Sequence, residues 1–274
     1  MSEYALSIFP NDAAITVTTT VWVGVMVVVF LNLRLGWTLS GLVVPGYLVP
    51  LLIAKPVSAT IICVEAVLTY WVVYLMSEKA NRLHGWSSFF GRDRFFFLVV
   101  VSVLVRAILD GWLLTWLGAR VHDWFGIVVD YRVDLHSYGL IVVALMANYF
   151  WKPGLVRGLV PMATTVAATY VIVRYGLIEW TNFHVGSLQY VYEDIATSLL
   201  ASPKAYVILL TTAFLASWMN LRYGWEFKGI LIPALLALLW HEPHKIAASL
   251  VEGLIVLSLA TLVLRLPIWR RTTV

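Results

Sequence analysis

Two glutamates stand out in an apolar chain. Glu65 lies nine residues past Lys55-Pro56, and Glu252 lies nine residues past Glu242-Pro243, each inside a hydrophobic run. An ionisable group at mid-depth in a membrane helix is costly and calls for a partner or a wet cavity. Such a carboxyl can hold a cation or proton, touch a polar substrate, or hydrogen-bond to a neighbouring helix in its protonated form. Arg106 and Asp110 are four residues apart. That spacing places them on one helix face and predicts an internal ion pair, with substrate contact by Arg106 as the alternative. Arg34 and Arg222 stand just ahead of a Gly-Trp pair at the end of an apolar run. They read as interfacial side chains reaching for water, or as grips for carboxylates, which guanidinium pairs well.

Other chemistry is not indicated. His241, Glu242, His244 and Lys245 cluster, but Pro243 interrupts the helix that would align the two histidines, so no metal site is expected. The chain carries no nucleophile elbow, Walker loop, zincin motif or dinucleotide fingerprint. No catalytic residue and no cofactor are expected, and any nucleotide chemistry would sit on another subunit. The single cysteine, Cys63, reads as a small buried hydrophobe.

The elements that must hold these residues are membrane helices. The 274 residues are 61% hydrophobic and 12% charged, with mean hydropathy +0.86. A soluble domain carries about a quarter charged residues. The net charge of +4 comes with no basic patch interleaved with aromatics, so no nucleic-acid partner is expected. The fold class is an all-α polytopic membrane protein in the lipid bilayer. Residues 1–12 lack Lys and Arg and predict a retained first span rather than a cleaved leader.

The chain also repeats itself. Asn32-Leu33-Arg34-Leu35-Gly36-Trp37 returns as Asn220-Leu221-Arg222-Tyr223-Gly224-Trp225, and Gly41-Leu-Val-Val-Pro45 as Gly229-Ile-Leu-Ile-Pro233. A weaker copy starts at Gly139 and puts Met162 where the glutamates stand. Repeats of this length fix architecture. They predict three units, each a long span, a short Pro/Gly-broken segment and a second long span. The predicted segments are 13–33, 38–54 and 57–76; 95–117, 138–151 and 155–173; and 205–219, 229–240 and 244–266. Six to nine of them lie in the membrane.

Gly41, Pro45, Gly46, Pro50, Gly229 and Pro233 mark the broken segments, where Pro45 and Pro50 are expected to break or kink a helix. Such segments point either to a midplane site or to short packed helices. Lys55-Pro56, Lys152-Pro153 and Glu242-Pro243 read as helix starts, since proline fits the first turn. Gly154 and Gly158 have the small-xxx-small spacing of close helix packing. Residues 175–204 read as a more polar linker. Lys79, Arg82, Arg92 and Arg94, together with Arg265, Arg270 and Arg271, place the loop 77–94 and the C-terminal tail in the cytoplasm.

The segment Gly41-Leu-Val-Val-Pro-Gly-Tyr-Leu48 resembles the hallmark of the PgsC/CapC capsule family, the membrane subunit of poly-gamma-glutamate synthase. Gly139-Leu-Ile-Val-Val-Ala-Leu-Met-Ala-Asn148, followed by Lys152-Pro153-Gly154-Leu155, is similar to that family's second half, with Val143-Ala144 replacing its second Pro-Gly. The resemblance covers residues 13–175, or two units. It divides the chain into a family-like region 1–175, a linker 176–204 and an added third unit with basic tail, 205–274.

The resemblance implies a non-catalytic subunit in a bacterial inner membrane. It would anchor a cytoplasmic Mur-ligase-like, ATP-dependent amide ligase and help pass an anionic polymer such as polyglutamate outward. A related membrane module accompanies ATP-grasp ligases and transglutaminase-like domains, the runner-up family. The alternatives from other classes are a secondary transporter with a midplane site near Glu65 and Glu252, and, with least support, an intramembrane enzyme. A homo-oligomer is also compatible with the sequence.

Overall fold

The computed structural model describes residues 7, 9, 14, 17–37, 43–84, 94–113, 116, 120, 139–151, 153–185, 203–223, 231–240 and 242–265. Within them the helices are α1 (Val17–Leu35), α2 (Val44–Ala54), α3 (Pro56–His84), α4 (Arg94–Ile108), α5 (Gly139–Trp151), α6 (Leu155–Val171), α7 (Pro203–Tyr223), α8 (Leu231–Leu238) and α9 (Pro243–Arg265). A π-wound stretch, Leu109–Leu113, extends α4. Another, Ile172–Leu177, carries α6 on to Trp180. The helices Val17–Leu35, Pro56–Glu78, Leu155–Trp180 and Pro243–Leu262 are long and apolar enough to cross a bilayer. The chain is an all-α polytopic membrane protein. At 1.5 Å per residue, α2, α5 and α8 are only about 16, 20 and 12 Å long, short of the ~30 Å hydrocarbon layer.

The recurring Asn-Leu-Arg-x-Gly-Trp motif is a helix stop. Gly36 takes φ +66°, the left-handed conformation that favours glycine. Its N–H returns to the Asn32 carbonyl at 2.8 Å, and the Asn32 side-chain amide donates to the Trp37 carbonyl. Helix α1 ends one residue before Gly36, and α7 ends one residue before Gly224. Pro56 and Pro243 open α3 and α9, as expected. Pro153 does not open α6, which starts at Leu155 after Gly154 turns the chain at φ +83°.

Packing centres on the two short helices. Helix α2 lies against α1, α3, α5 and α6, and α5 lies against α2, α3, α4 and α6. Exchanging α1 with α4, α2 with α5 and α3 with α6 maps this set of pairings onto itself. It also maps α3·α4 onto α6·α1. Residues 44–54 and 139–151 therefore form the middle of a six-helix core. Helix α7 docks on α4, with Phe96 and Phe214 rings 6.3 Å apart, and α8 packs on α7. Helix α9 adds no residue to either core cluster.

The crossing of α1 and α2 explains two prolines and two glycines. Pro50 sits inside α2 and does not end it. With no N–H at Pro50, the Gly46 carbonyl lacks its usual partner four residues on. The fully buried Thr20 hydroxyl, 2.9 Å away, can donate to it, sharing its proton with the Val17 carbonyl at 2.7 Å. The hydroxyl reaches that carbonyl because the backbones almost touch. A Cβ on Gly24 would lie 2.7 Å from Gly46 N, and one on Gly46 would lie 2.3 Å from Val21 Cα. The Gly46 amide faces Gly24 and its carbonyl faces Thr20, so the two helices run in opposite directions.

At the α5–α6 turn, a Cβ on Gly158 would come within 3.0 Å of the Phe150 ring, so Gly158 serves close packing. Gly154 has open space and serves the turn instead. Asn182 holds the N-terminal segment: it accepts from Phe9 N–H at 3.2 Å and donates to Phe9 O at 2.8 Å.

Candidate functional site

Helices α3, α4 and α5 pack pairwise, and each carries buried polar side chains. Helix α3 contributes Glu65 and Thr69, both fully buried. Helix α4 contributes Ser102 and Arg106, each about 2% exposed, and α5 contributes Tyr149. Polar groups survive in an apolar bundle only with hydrogen-bonding or charged company.

A ring cluster sets the register. Trp151, at the end of α5, meets Tyr70 and Tyr74 of α3 with centroids 6.0 and 6.3 Å apart. The Arg94 guanidinium, at the start of α4, lies 5.4 Å from the centre of the Trp151 ring. From that level α4 runs back along α5, where Val99 and Val103 share a core cluster with Ala144. At 1.5 Å per residue, Glu65 lies about 10 Å and Arg106 about 18 Å below the rings. The offset is about 8 Å along the bundle, within the combined reach of the two side chains. The structure thus buries Glu65 and Arg106 on neighbouring helices, α3 and α4.

It does not bring Glu65 and Glu252 together. Glu252 is exposed on α9, away from the core. Asp110 falls in the π-wound stretch Leu109–Leu113. The i→i+5 ladder there has an extra residue per turn, so the four-residue spacing to Arg106 no longer implies a shared face. The Asp110 side chain lies outside the described residues.

Arg34 and Arg222 are exposed at the ends of α1 and α7. The Arg222 guanidinium lies 5.9 Å from the Trp218 ring centre and 6.0 Å from that of Tyr223. Of the broken-segment positions, Pro45, Gly46 and Pro50 are buried in α2, and Pro233 lies in the first turn of α8. Gly41 and Gly229 lie outside the described residues. Glu242 pairs with Lys245 at 2.5 Å and lies 3.7 Å from His244.

A cavity of about 570 Å³ lies between α2, α3, α5 and α6. Leu48, Cys63, Met146, Phe150, Met162 and Tyr170 line it. Met162, the counterpart of the two glutamates by spacing, is thus a wall residue of an apolar chamber. No ionisable carboxylate or cation borders this space, so an anionic chain would lose its water there with nothing in return.

Sequence reading missed Gly24, Thr20 and the α3–α5 aromatic cluster. The Thr20-xxx-Gly24 spacing is a small-xxx-small signal that could have revealed the first two.

The arrangement is that of a polytopic helical membrane protein with a six-helix core and buried polar side chains. Residues 23–159, from within α1 to the start of α6, match the capsule biosynthesis CapC family. The chain belongs to that family, and it is a membrane protein of capsule biosynthesis. Comparison with curated proteins and with solved structures gave no match.

Proposed function

We propose that this chain is the non-catalytic membrane subunit of a synthase making a poly-gamma-glutamate-type capsule polymer. It anchors a cytoplasmic ATP-dependent amide ligase, of Mur-ligase-like or ATP-grasp type, in the bacterial inner membrane and helps move the anionic polymer outward. The observation carrying this reading is the CapC match, which runs from within α1 to the start of α6 and includes Gly24, Gly46, Glu65 and Arg106. The basic stretch 77–94 and the basic tail face the cytoplasm, where the ligase docks. Residues 205–274 are a third copy of the repeated unit, added to the family's two.

The apolar walls of the central cavity argue against it as the polymer route. An anionic chain passes instead along the exposed arginine-bearing span ends or between assembled subunits. The transporter reading loses its paired site, because Glu65 is buried in the core and Glu252 is not. Deletion of this chain is the test. The reading requires loss of exported capsule polymer while ATP-dependent amide-ligase activity persists in the soluble fraction. Normal capsule in the deletion strain would overturn it.

A further inference from the structure

Helices α3 and α6 both pack on α2 and α5, yet they do not pack on each other. The chamber of about 570 Å³ occupies that gap, with walls from all four helices. Exchanging α2 with α5 and α3 with α6 maps this set of walls onto itself, so the chamber lies where the two repeats meet. Binding sites of repeat-built membrane proteins favour that position.

The chamber has a floor and a mouth. Leu48, Met146, Phe150 and Met162 line it and are at most 4% exposed. Leu159, Ala163 and Ala167 also line it, yet all three are exposed. They recur every four residues along α6, so they edge a single opening. Two of the three are alanines, which keeps that edge low. On α3, the wall residues Cys63 and Val67 stand about 10 and 17 Å from the helix start. On α6, Leu159 and Tyr170 stand about 6 and 22 Å from the start. Both helices are long enough to cross a bilayer, so the mouth opens onto hydrocarbon rather than water.

Size and chemistry select what fits through it. Filling 570 Å³ with water takes about 19 molecules at ~30 Å³ each, and a buried water makes about three hydrogen bonds. Cys63 and Tyr170 carry the only thiol and hydroxyl in the wall, so water is a poor occupant. A protein helix is too thick. At about 10 Å across it fills about 80 Å³ per ångström of length, so 570 Å³ takes little more than one turn. A hydrocarbon tail needs no hydrogen bonds. Its methylenes are close to water in size, so the chamber takes one tail and leaves the headgroup outside. Leaving bulk lipid costs the tail no hydration, and packing against the floor restores dispersion contacts that a void forfeits.

We propose that this chamber is a lipid site, and that its occupant is one acyl tail of a membrane phospholipid entering between α3 and α6 past Ala163 and Ala167. The tail fills the seam between the two repeats. The proposal does not depend on the ligase or the polymer.

The test is photo-crosslinking of the full-length chain in native membranes. The probe is phosphatidylglycerol with a diazirine midway along one acyl chain, and labelled residues are mapped by mass spectrometry. Lipid around the protein can reach exposed side chains but not the floor. Labelling of Met146, Phe150 and Met162 therefore reads insertion, while Val28 and Val99, equally buried but away from the chamber, give the background. The floor should be labelled well above that background. Ala163→Trp with Ala167→Trp raises the edge of the mouth from exposed positions, leaving the core unaltered. That pair should drop floor labelling to the background and leave labelling of the exposed Leu254 and Leu259 unchanged. The two single variants give the same readout where the pair fails to fold. Floor labelling no higher than at Val28 and Val99 would overturn the proposal. So would floor labelling that persists in folded protein with the mouth blocked.

Discussion

Replacing Gly24 with alanine should loosen the core through one measurable displacement. The new Cβ would lie 2.7 Å from Gly46 N, 3.0 Å from Gly46 Cα and 3.4 Å from Pro45 C, all backbone atoms. No side chain can rotate away, so α1 and α2 must part by about 0.7 Å to reach ordinary contact. That movement stretches the Thr20–Gly46 hydrogen bond from 2.9 Å to about 3.6 Å, where it ceases to be one. Overpacking costs about 1–3 kcal/mol, and an orphaned buried carbonyl about 1–3 kcal/mol. Better helix propensity returns about 1 kcal/mol. The net expectation is a loss of about 1–5 kcal/mol, centred near 3.

Gly176→Ala is the matched control, because its Cβ meets nothing within 4 Å. Thermal unfolding in mild detergent, followed by size-exclusion, reads both. A melting temperature for Gly24→Ala equal to that of Gly176→Ala would refute the account of the crossing.

Three further outcomes follow from the same geometry. Thr20→Val keeps the shape and removes the hydroxyl, so it should cost about 1–2 kcal/mol in the same unfolding assay. Glu65→Leu or Arg106→Met alone should cost about 3–5 kcal/mol by leaving one buried charge uncompensated, while the double replacement should recover much of it. Additive losses in that cycle would separate the two residues. Arg34→Glu and Arg222→Glu should each lower exported polymer at normal membrane levels, and unchanged export would remove those arginines from the route.

Much of the architecture was legible in the sequence because water and lipid leave a large contrast. The long spans, the short segments and the helix starts at Pro56 and Pro243 all follow from hydropathy and proline position. Arg34 stood at the end of an apolar run, whereas the left-handed Gly36 stop and its clasp by Asn32 depend on backbone geometry. Which face of each span is buried was not legible. On α3, Ile62, Ala66 and Val73 are buried while Val64, Leu68 and Trp71 face outward. Both sets are apolar, because lipid asks for the same side chains as a core.

Only polar residues break that degeneracy, and Glu65 and Arg106 both lie on buried faces. The π-winding at Leu109–Leu113, which carries no composition signal, removes the simple four-residue argument for an Arg106–Asp110 face. Glu252 looked equivalent to Glu65 by spacing, but what covers a membrane helix depends on its neighbours, and among the described residues none of the apolar window of α9 is buried.

The claim that this capsule biosynthesis protein is a membrane platform for chemistry done elsewhere has a direct test. The chain would be purified from its native membranes in mild detergent, and the sample assayed for ATP-dependent incorporation of glutamate into polymer. An ATP-dependent ligase should co-purify, with incorporation lost when that subunit is stripped and restored when it is returned. Polymer formation by the chain alone, or a purified chain free of any ligase from capsule-producing cells, would contradict the account.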